Sequence, residues 1–342
     1  MKAVISGTGS YLPKKKLSNA DISKWVDTSD EWILQRVGIS SRCIADESET
    51  SVFMATQAAV QALSKAGVSP EEIELIIVAT STADHAMPST AVEVQAQLGN
   101  TAATCFDLNA ACSGFIYGLL IIQQFFATGR IKKALLIGAE RMSRVVDWSD
   151  RSTCVLFGDG AGACVFQSNN LLEENNNKSN LERGILSVKT YSDGREKDLL
   201  YVRPHFSSSA NFTSNGFNKD VKEANLLPYL FMEGNKVFKT AVNKLEAAAL
   251  DILNENNISS DQVDWLVPHQ ANLRIILATA KKLNLPEEKI ILTLAEQGNT
   301  SAASVPMALD SGVRSGKILK NNLLLLEAFG AGFVWGSALI RF

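Results

Sequence analysis

The stretch Leu63–Ala79, LSKAGVSPEEIELIIVA, has a partner 190 residues further on, Leu253–His269, LNENNISSDQVDWLVPH. In both, a helical end gives way to a polar turn and then a short apolar strand, "IELIIVAT" or "WLVP". The likeness extends backward. Adding 190 carries Val52, Ala55, Ala59, Ala62 and Leu63 onto Val242, Leu245, Ala249, Ile252 and Leu253, positions that keep one helical face apolar. It also extends forward: GRIKKALLIG from Gly129 matches GKILKNNLLLL from Gly316, here at an offset of 187. That second offset sets Cys112 opposite Asn299. Recurrence of helix, strand, turn, helix and strand in one order identifies a duplicated chain. The continuous apolar strands point to sheets covered by helices on both faces. The expected fold is α/β, with halves 1–168 and 183–342 packed about a pseudo-twofold axis and Cys112 facing Asn299 across it.

Two segments read as insertions. Residues 167–182 are polar and Asn-rich, the character of a surface connection. Residues 203–220, with the stretch to 230, are loop-like and read as a flap.

Composition narrows the function. The chain has 342 residues, 46% of them apolar, enough for a large core. Its net charge of −3 disfavours nucleic acid. The five cysteines include no CxxC pair, which disfavours structural zinc and a disulfide framework, and free thiols suit a reducing compartment. The N-terminal MKAVISGTGSYLP reads as a strand and a glycine turn, without a signal-peptide pattern. With no apolar run long enough to span a membrane, the expectation is a cytoplasmic protein with no membrane partner.

Chemistry centres on Asn109–Leu119, NAACSGFIYGL. Cys112 falls between a short strand and a helix, among small residues that permit a tight turn. Read locally, it is either a packed thiol or a nucleophile. The positive end of a helix favours the thiolate, and its N–H groups suit an oxyanion. His269 follows the strand in VPHQANLR, where α/β sheets build sites, and Asn299 lies in EQGNTSAASVP, a glycine turn before a small-residue helix.

DTSDEWI, RVGIS, FDLNAACSGF, FGDGAGA, VPHQANLRI, GNTSAASVP and FGAGFVWGSALIRF occur in this order and together resemble β-ketoacyl-acyl-carrier-protein synthase III, of the thiolase-like superfamily. The resemblance runs from GTGSYLP to Phe342 and lapses across the two insertions. It implies the five-layered αβαβα thiolase fold, a homodimer and a decarboxylative Claisen condensation. A short acyl-CoA acylates cysteine, and malonyl-acyl-carrier-protein then yields 3-oxoacyl-carrier-protein. CoA thioester is a substrate, and no cofactor or metal is implied.

The resemblance makes Cys112 the nucleophile, with His269 and Asn299 the pair that holds the malonyl thioester carbonyl. The backbone N–H groups of Cys112 and Ala331 would form the acyl oxyanion hole, Ala331 standing where the family often has glycine. Trp32 and Arg151 match residues that sandwich adenine, and Arg36 and Asn272 match other CoA contacts. Ser152 replaces a frequent glycine beside the adenine. Arg274, Lys239, Lys281 and Lys282 match the basic patch that receives the carrier protein. Met87 stands where many relatives carry a phenylalanine that reaches the partner subunit's acyl pocket.

Competing readings fit less well. A thiolase needs a second catalytic cysteine, and elongating synthases use two histidines. GTGSYL lacks the third glycine of a dinucleotide-binding turn. An ester- or amide-forming acyltransferase is the enzymatic runner-up, and the presence of Cys112, His269 and Asn299 together argues against a non-catalytic acyl-CoA-binding homologue.

Overall fold

The computed structural model describes residues 1–173, 183–202, 212–213, 216–217 and 229–342. Much of the connection 167–182 and most of the flap 203–230 lie outside the described residues. Within the former, Asn169–Glu173 is a short helix. Beside the latter, Leu230–Met232 pairs with Leu200–Val202.

Two sheets organise the molecule. The first has β1 (Ala3–Tyr11), β2 (Leu75–Ala79), β3 (Thr104–Leu108), β4 (Lys133–Arg141) and β5 (Asp159–Ser168), in the order β1-β5-β4-β2-β3. The second has β6 (Gly184–Ser192), β7 (Trp265–Pro268), β8 (Leu323–Gly330) and β9 (Val334–Arg341), in the order β6-β9-β8-β7. A parallel bridge from Leu266 to Ile290 stands where β3 stands in the first sheet. Both sheets run antiparallel, antiparallel, parallel from their first strand.

The register measures the duplication. β2 pairs Leu75 with Ala134, and β7 pairs Trp265 with Leu324, so one offset of 190 carries both partners. The offset of 187 read from Gly129 and Gly316 is therefore a three-residue slip. At 190 the one-turn helix Ala111–Ser113 falls on Ser301–Ala303, and the left-handed Ala111 (φ 44°) falls on the left-handed Ser301 (φ 48°). Asn109 is thus the counterpart of Asn299, and Cys112 that of Ala302. The two glycines misled because each closes a helix, and the connections from helix to strand differ in length.

Five layers follow from where apolar surface is buried. Helices α1 (Asp30–Val37) and α2 (Ser51–Ala66) precede β2, and α2 covers the outer face of the first sheet. Helix α3 (Gly114–Ala127) lies with α6 (Ser304–Arg314) between the sheets. Phe115, Leu119 and Ile122 there share one core with Val305 and Leu309, with Leu136 of β4 and with Leu326 of β8. This double contact explains why α3, GFIYGLLIIQQFFA, is apolar nearly all round. Helices α4 (Gly234–Glu255) and α5 (Leu273–Lys282) cover the second sheet. No described helix is long and apolar enough to cross a membrane.

Gly7 and Gly9 do not form the turn expected of them. Both lie inside β1 against the alanine face of α2, where a Cβ on either would stand 2.3 Å from a helix carbonyl oxygen. They are glycines of close approach.

Candidate active site

The C-terminal ends of β3 and β7 open into one cavity of about 1060 Å³, and Cys112, His269, Asn299 and Ala331 all line it. Cys112 sits in the turn Ala111–Ser113 that starts α3. Gly330, at the end of β8, lies against it so closely that a Cβ there would stand 2.7 Å from the Cys112 nitrogen. Only glycine fits without moving the thiol.

Enclosure opposes the expected thiolate. Burial pushes the Cys112 thiol up to about 11; the Glu140 charge adds to the shift, and a hydrogen bond from Ser301 opposes it. Desolvation and the helix end thus act on the thiol in opposite directions.

His269 follows β7 and is 6% exposed. Its backbone N–H donates to the Glu327 carbonyl at 2.8 Å, and its Nδ1 lies 2.6 Å from Ser304 Oγ. Burial drives its pKa down to about 3, so the ring is neutral. Asn299 is fixed through its own backbone: its N–H donates to Leu156 and its carbonyl accepts from Gly158. Its Oδ1 accepts the Ser301 N–H at 2.9 Å, which leaves the amide NH2 as the free donor.

Trp32 and Arg36 belong to α1 and line the cavity with Asn272 and Ser152. The Arg151 guanidinium stands 5.0 Å from the Trp32 ring centroid and that of Arg36 5.8 Å. A flat ring between two planar groups needs about 7 Å, twice an ordinary contact. The expected sandwich is therefore closed here, and Arg151 itself occupies the indole face. Asn272 caps α5 by accepting the Arg274 N–H, and donates its amide to the Arg36 carbonyl at 3.3 Å. That bond joins α1 to the second half.

Arg274 is exposed and lies 5.4 Å from the Phe238 ring centroid. Lys239 and Lys281 are exposed, whereas Lys282 is ion-paired with Glu246 and is not a free member of the patch. Met87 is 84% exposed and does not line this chain's cavity.

Sequence reasoning missed four residues around the reacting groups: Glu140, Ser301, Ser304 and Glu327. Glu140 and Glu327 carried a signal, each an acid within or at the end of an apolar strand. The two serines carried none among so many small residues.

Two family models match, the 3-oxoacyl-[acyl-carrier-protein] synthase III model over residues 106–194 and its C-terminal model over 253–342. The β-ketoacyl-[acyl-carrier-protein] synthase III of Alkalilimnicola ehrlichii is 49% identical over 341 residues, 99% of each chain. That of Xanthomonas campestris pv. campestris is 48% identical over 338 residues, 99% of this chain and 98% of its own. The crystal structure of 3-oxoacyl-[acyl-carrier-protein] synthase III from Aquifex aeolicus superimposes with a TM-score of 0.87 at 44% identity, covering 99% of this chain and all of that one. With both models matched in order and relatives 48% and 49% identical over 99% of it, the chain belongs to the 3-oxoacyl-[acyl-carrier-protein] synthase III family.

Proposed function

We propose that this chain performs the priming condensation of fatty-acid synthesis, joining a short acyl group from acyl-CoA to malonyl-acyl-carrier-protein through an acyl-Cys112 intermediate. The observation that carries the reading is the donor geometry over one cavity: a neutral His269 and an Asn299 amide turned outward by Ser301. Two neutral donors suit an enolate oxygen that gains charge as carbon dioxide leaves. When the Ser304 hydroxyl proton points at His269 Nδ1, the other ring nitrogen carries the N–H that donates. The backbone N–H groups of Cys112 and Ala331 would serve the acyl oxyanion. Covalent acylation divides the reaction into two steps that share a single cavity.

Trp32, Arg36, Arg151 and Asn272 are the proposed CoA contacts, adenine entering once Arg151 moves off the indole. Arg274, Lys239 and Lys281 are proposed to receive the acidic carrier protein. The functional unit is a homodimer in the cytoplasm, its subunits built from halves 1–168 and 183–342, and the exposed Met87 reaches the partner subunit's acyl pocket.

The test separates the half-reactions. Cys112→Ala abolishes acetylation, measured by mass spectrometry after mixing with acetyl-CoA, and keeps some release of labelled carbon dioxide from malonyl-carrier-protein. His269→Ala and Asn299→Ala keep acetylation and lose decarboxylation by about 100- to 1,000-fold. A wild-type protein that releases no carbon dioxide would point to an ester- or amide-forming acyltransferase instead.

A further inference from the structure

A buried cation stands behind the cavity wall. Arg42, in the strand Ser41–Ile44, is fully buried and does not line the cavity. Burial lowers its pKa only to about 10, so it is charged at pH 7. No carboxylate pairs with it among the described residues. Its donors go to neutral acceptors. Nη1 donates to the Leu17 carbonyl at 3.2 Å and to Asn19 Oδ1 at 2.8 Å, and Nη2 donates to the Val155 carbonyl at 2.7 Å. Nε has no partner. A charge buried without a counter-ion is costly, and an apolar residue of similar volume would fill the same space at less cost. What only the guanidinium offers is a rigid fork that fixes several groups at once.

Two arms leave this fork. One runs to Asn299. Val155 lines the cavity, and the residues after it pair with Asn299 on both sides: Leu156 accepts the Asn299 N–H at 2.9 Å, and Gly158 donates to the Asn299 carbonyl at 3.1 Å. The stem of Arg42 packs beside the same pairing. A Cβ on Gly298 would stand 2.9 Å from the Arg42 Cβ, and one on Gly158 3.2 Å from it. The other arm runs to α1. Asn19 is 1% exposed; it accepts from Arg42 and donates its amide to Asp30 Oδ1 at 2.8 Å and to the Ile39 carbonyl at 2.7 Å. Asp30 opens α1 and Ile39 lies just past its end, so Asn19 holds both ends of the helix that carries Trp32 and Arg36.

We propose that Arg42 is a positioning residue that sets the Asn299 amide and α1 in one fixed spacing, serving decarboxylation through the first arm and acyl-CoA binding through the second. The idea rests on Asn299 being an enolate donor and α1 a CoA contact. Arg42 acts through Val155 and Asn19 and touches neither substrate. The first arm aims a donor at charge that develops in the transition state, so its loss lowers the limiting rate. The second holds a binding surface, so its loss raises the concentration of acyl-CoA needed and leaves the limiting rate.

The experiment uses the full chain as wild type, Arg42→Lys and Asn19→Ala. It measures release of labelled carbon dioxide from malonyl-carrier-protein, and acetylation of Cys112 against acetyl-CoA concentration by rapid-quench mass spectrometry, with thermal unfolding beside them. Lysine keeps the charge, but a compact ammonium cannot span the Asn19 and Val155 acceptors. Arg42→Lys is expected to lose about 100-fold in carbon dioxide release at saturation and to need about tenfold more acetyl-CoA for half-maximal acetylation. Its limiting acetylation rate stays near that of wild type. Asn19→Ala cuts only the α1 arm, so it needs about tenfold more acetyl-CoA while carbon dioxide release falls by about threefold at most. A folded Arg42→Lys protein that releases carbon dioxide at the wild-type rate overturns the proposal, whatever its melting temperature. So does an Asn19→Ala protein whose acetyl-CoA requirement is unchanged, or whose two readouts fall equally. If Arg42→Lys does not fold, Arg42→Met is read by the same measures, because it keeps the stem between the two glycines and leaves no charge to bury. A wild-type protein that releases no carbon dioxide removes the reading of Asn299 itself, a result distinct from failure of Arg42 alone.

Discussion

Neither carboxylate oxygen of Glu327 has a hydrogen-bond partner among the described residues, and the residue is 1% exposed. Burial lifts its pKa from 4.5 to about 8, so it is mostly a neutral acid at pH 7. The unfolded chain releases this proton near pH 4.5, and the folded chain holds it until about pH 8. Between those values the folded state binds more protons, so stability falls as pH rises and levels off above the upper one. The slope reaches about 1.4 kcal/mol per pH unit. Glu327→Gln is expected to remove this component. Urea unfolding at pH 5 and pH 8 should show a smaller difference for the variant than for wild type; parallel curves would show that Glu327 does not titrate this way. At this scale the sequence marked the candidate reacting groups and hid their supports. Cys112 and His269 follow strands, and Asn299 follows the short helix Leu294–Gln297 and Gly298, each in a distinctive local setting. Ser304 meets His269 across 35 residues, and Ser301 meets Glu140 across 161, contacts that local patterns do not encode. A helix start is visible in sequence, whereas the enclosure of a sulfur, which opposes the expected thiolate, is not.

Among the elements, the duplication was legible because helix period and strand run recur over long stretches, and paired strands share the offset of 190. The slip to 187 arose where the anchors were turn glycines, which mark the end of a helix and say little about the length of chain that follows. The same limit hid the role of Gly7 and Gly9. A glycine in sequence reads as a turn, while its service as bare backbone against α2 depends on a helix more than 40 residues away. Gly7→Ala is expected to destabilise by about 1–3 kcal/mol, since the added carbon meets the Ala62 carbonyl oxygen and strand and helix must separate. Gly194→Ala, with nothing within 4 Å of the new carbon, is the control. Denaturant midpoints compare the two; equal midpoints would mean that β1 yields at little cost.

For the whole molecule, two sheets with a shared helical core leave a cavity lined in part by residues of α1 and α5, Arg36 and Arg274 among them. The sequence resemblance proposed four basic residues for carrier-protein docking, and they differ in their surroundings. Arg274 and Lys281 lie on α5 and Lys239 on α4, all exposed, while Lys282 already answers the charge of Glu246. An acidic partner gains little from a cation that has its own counter-ion, and gains more from one lying over an aromatic face beside the cavity, as Arg274 lies over Phe238. Charge reversal should therefore act unevenly. Arg274→Glu is expected to raise the KM for malonyl-carrier-protein by about tenfold, with acetylation by acetyl-CoA near normal. Lys282→Glu should do much less to either. Because the effect is one of association between exposed charges, raising salt toward 1 M, where the screening length falls to about 3 Å, should draw the variants together. Steady-state kinetics at two salt concentrations measures this. Equal damage from Arg274→Glu and Lys282→Glu would mean that the partner reads net charge over α4 and α5. Equal loss of both half-reactions in Arg274→Glu would place that residue on the common path of the two substrates, away from the docking surface.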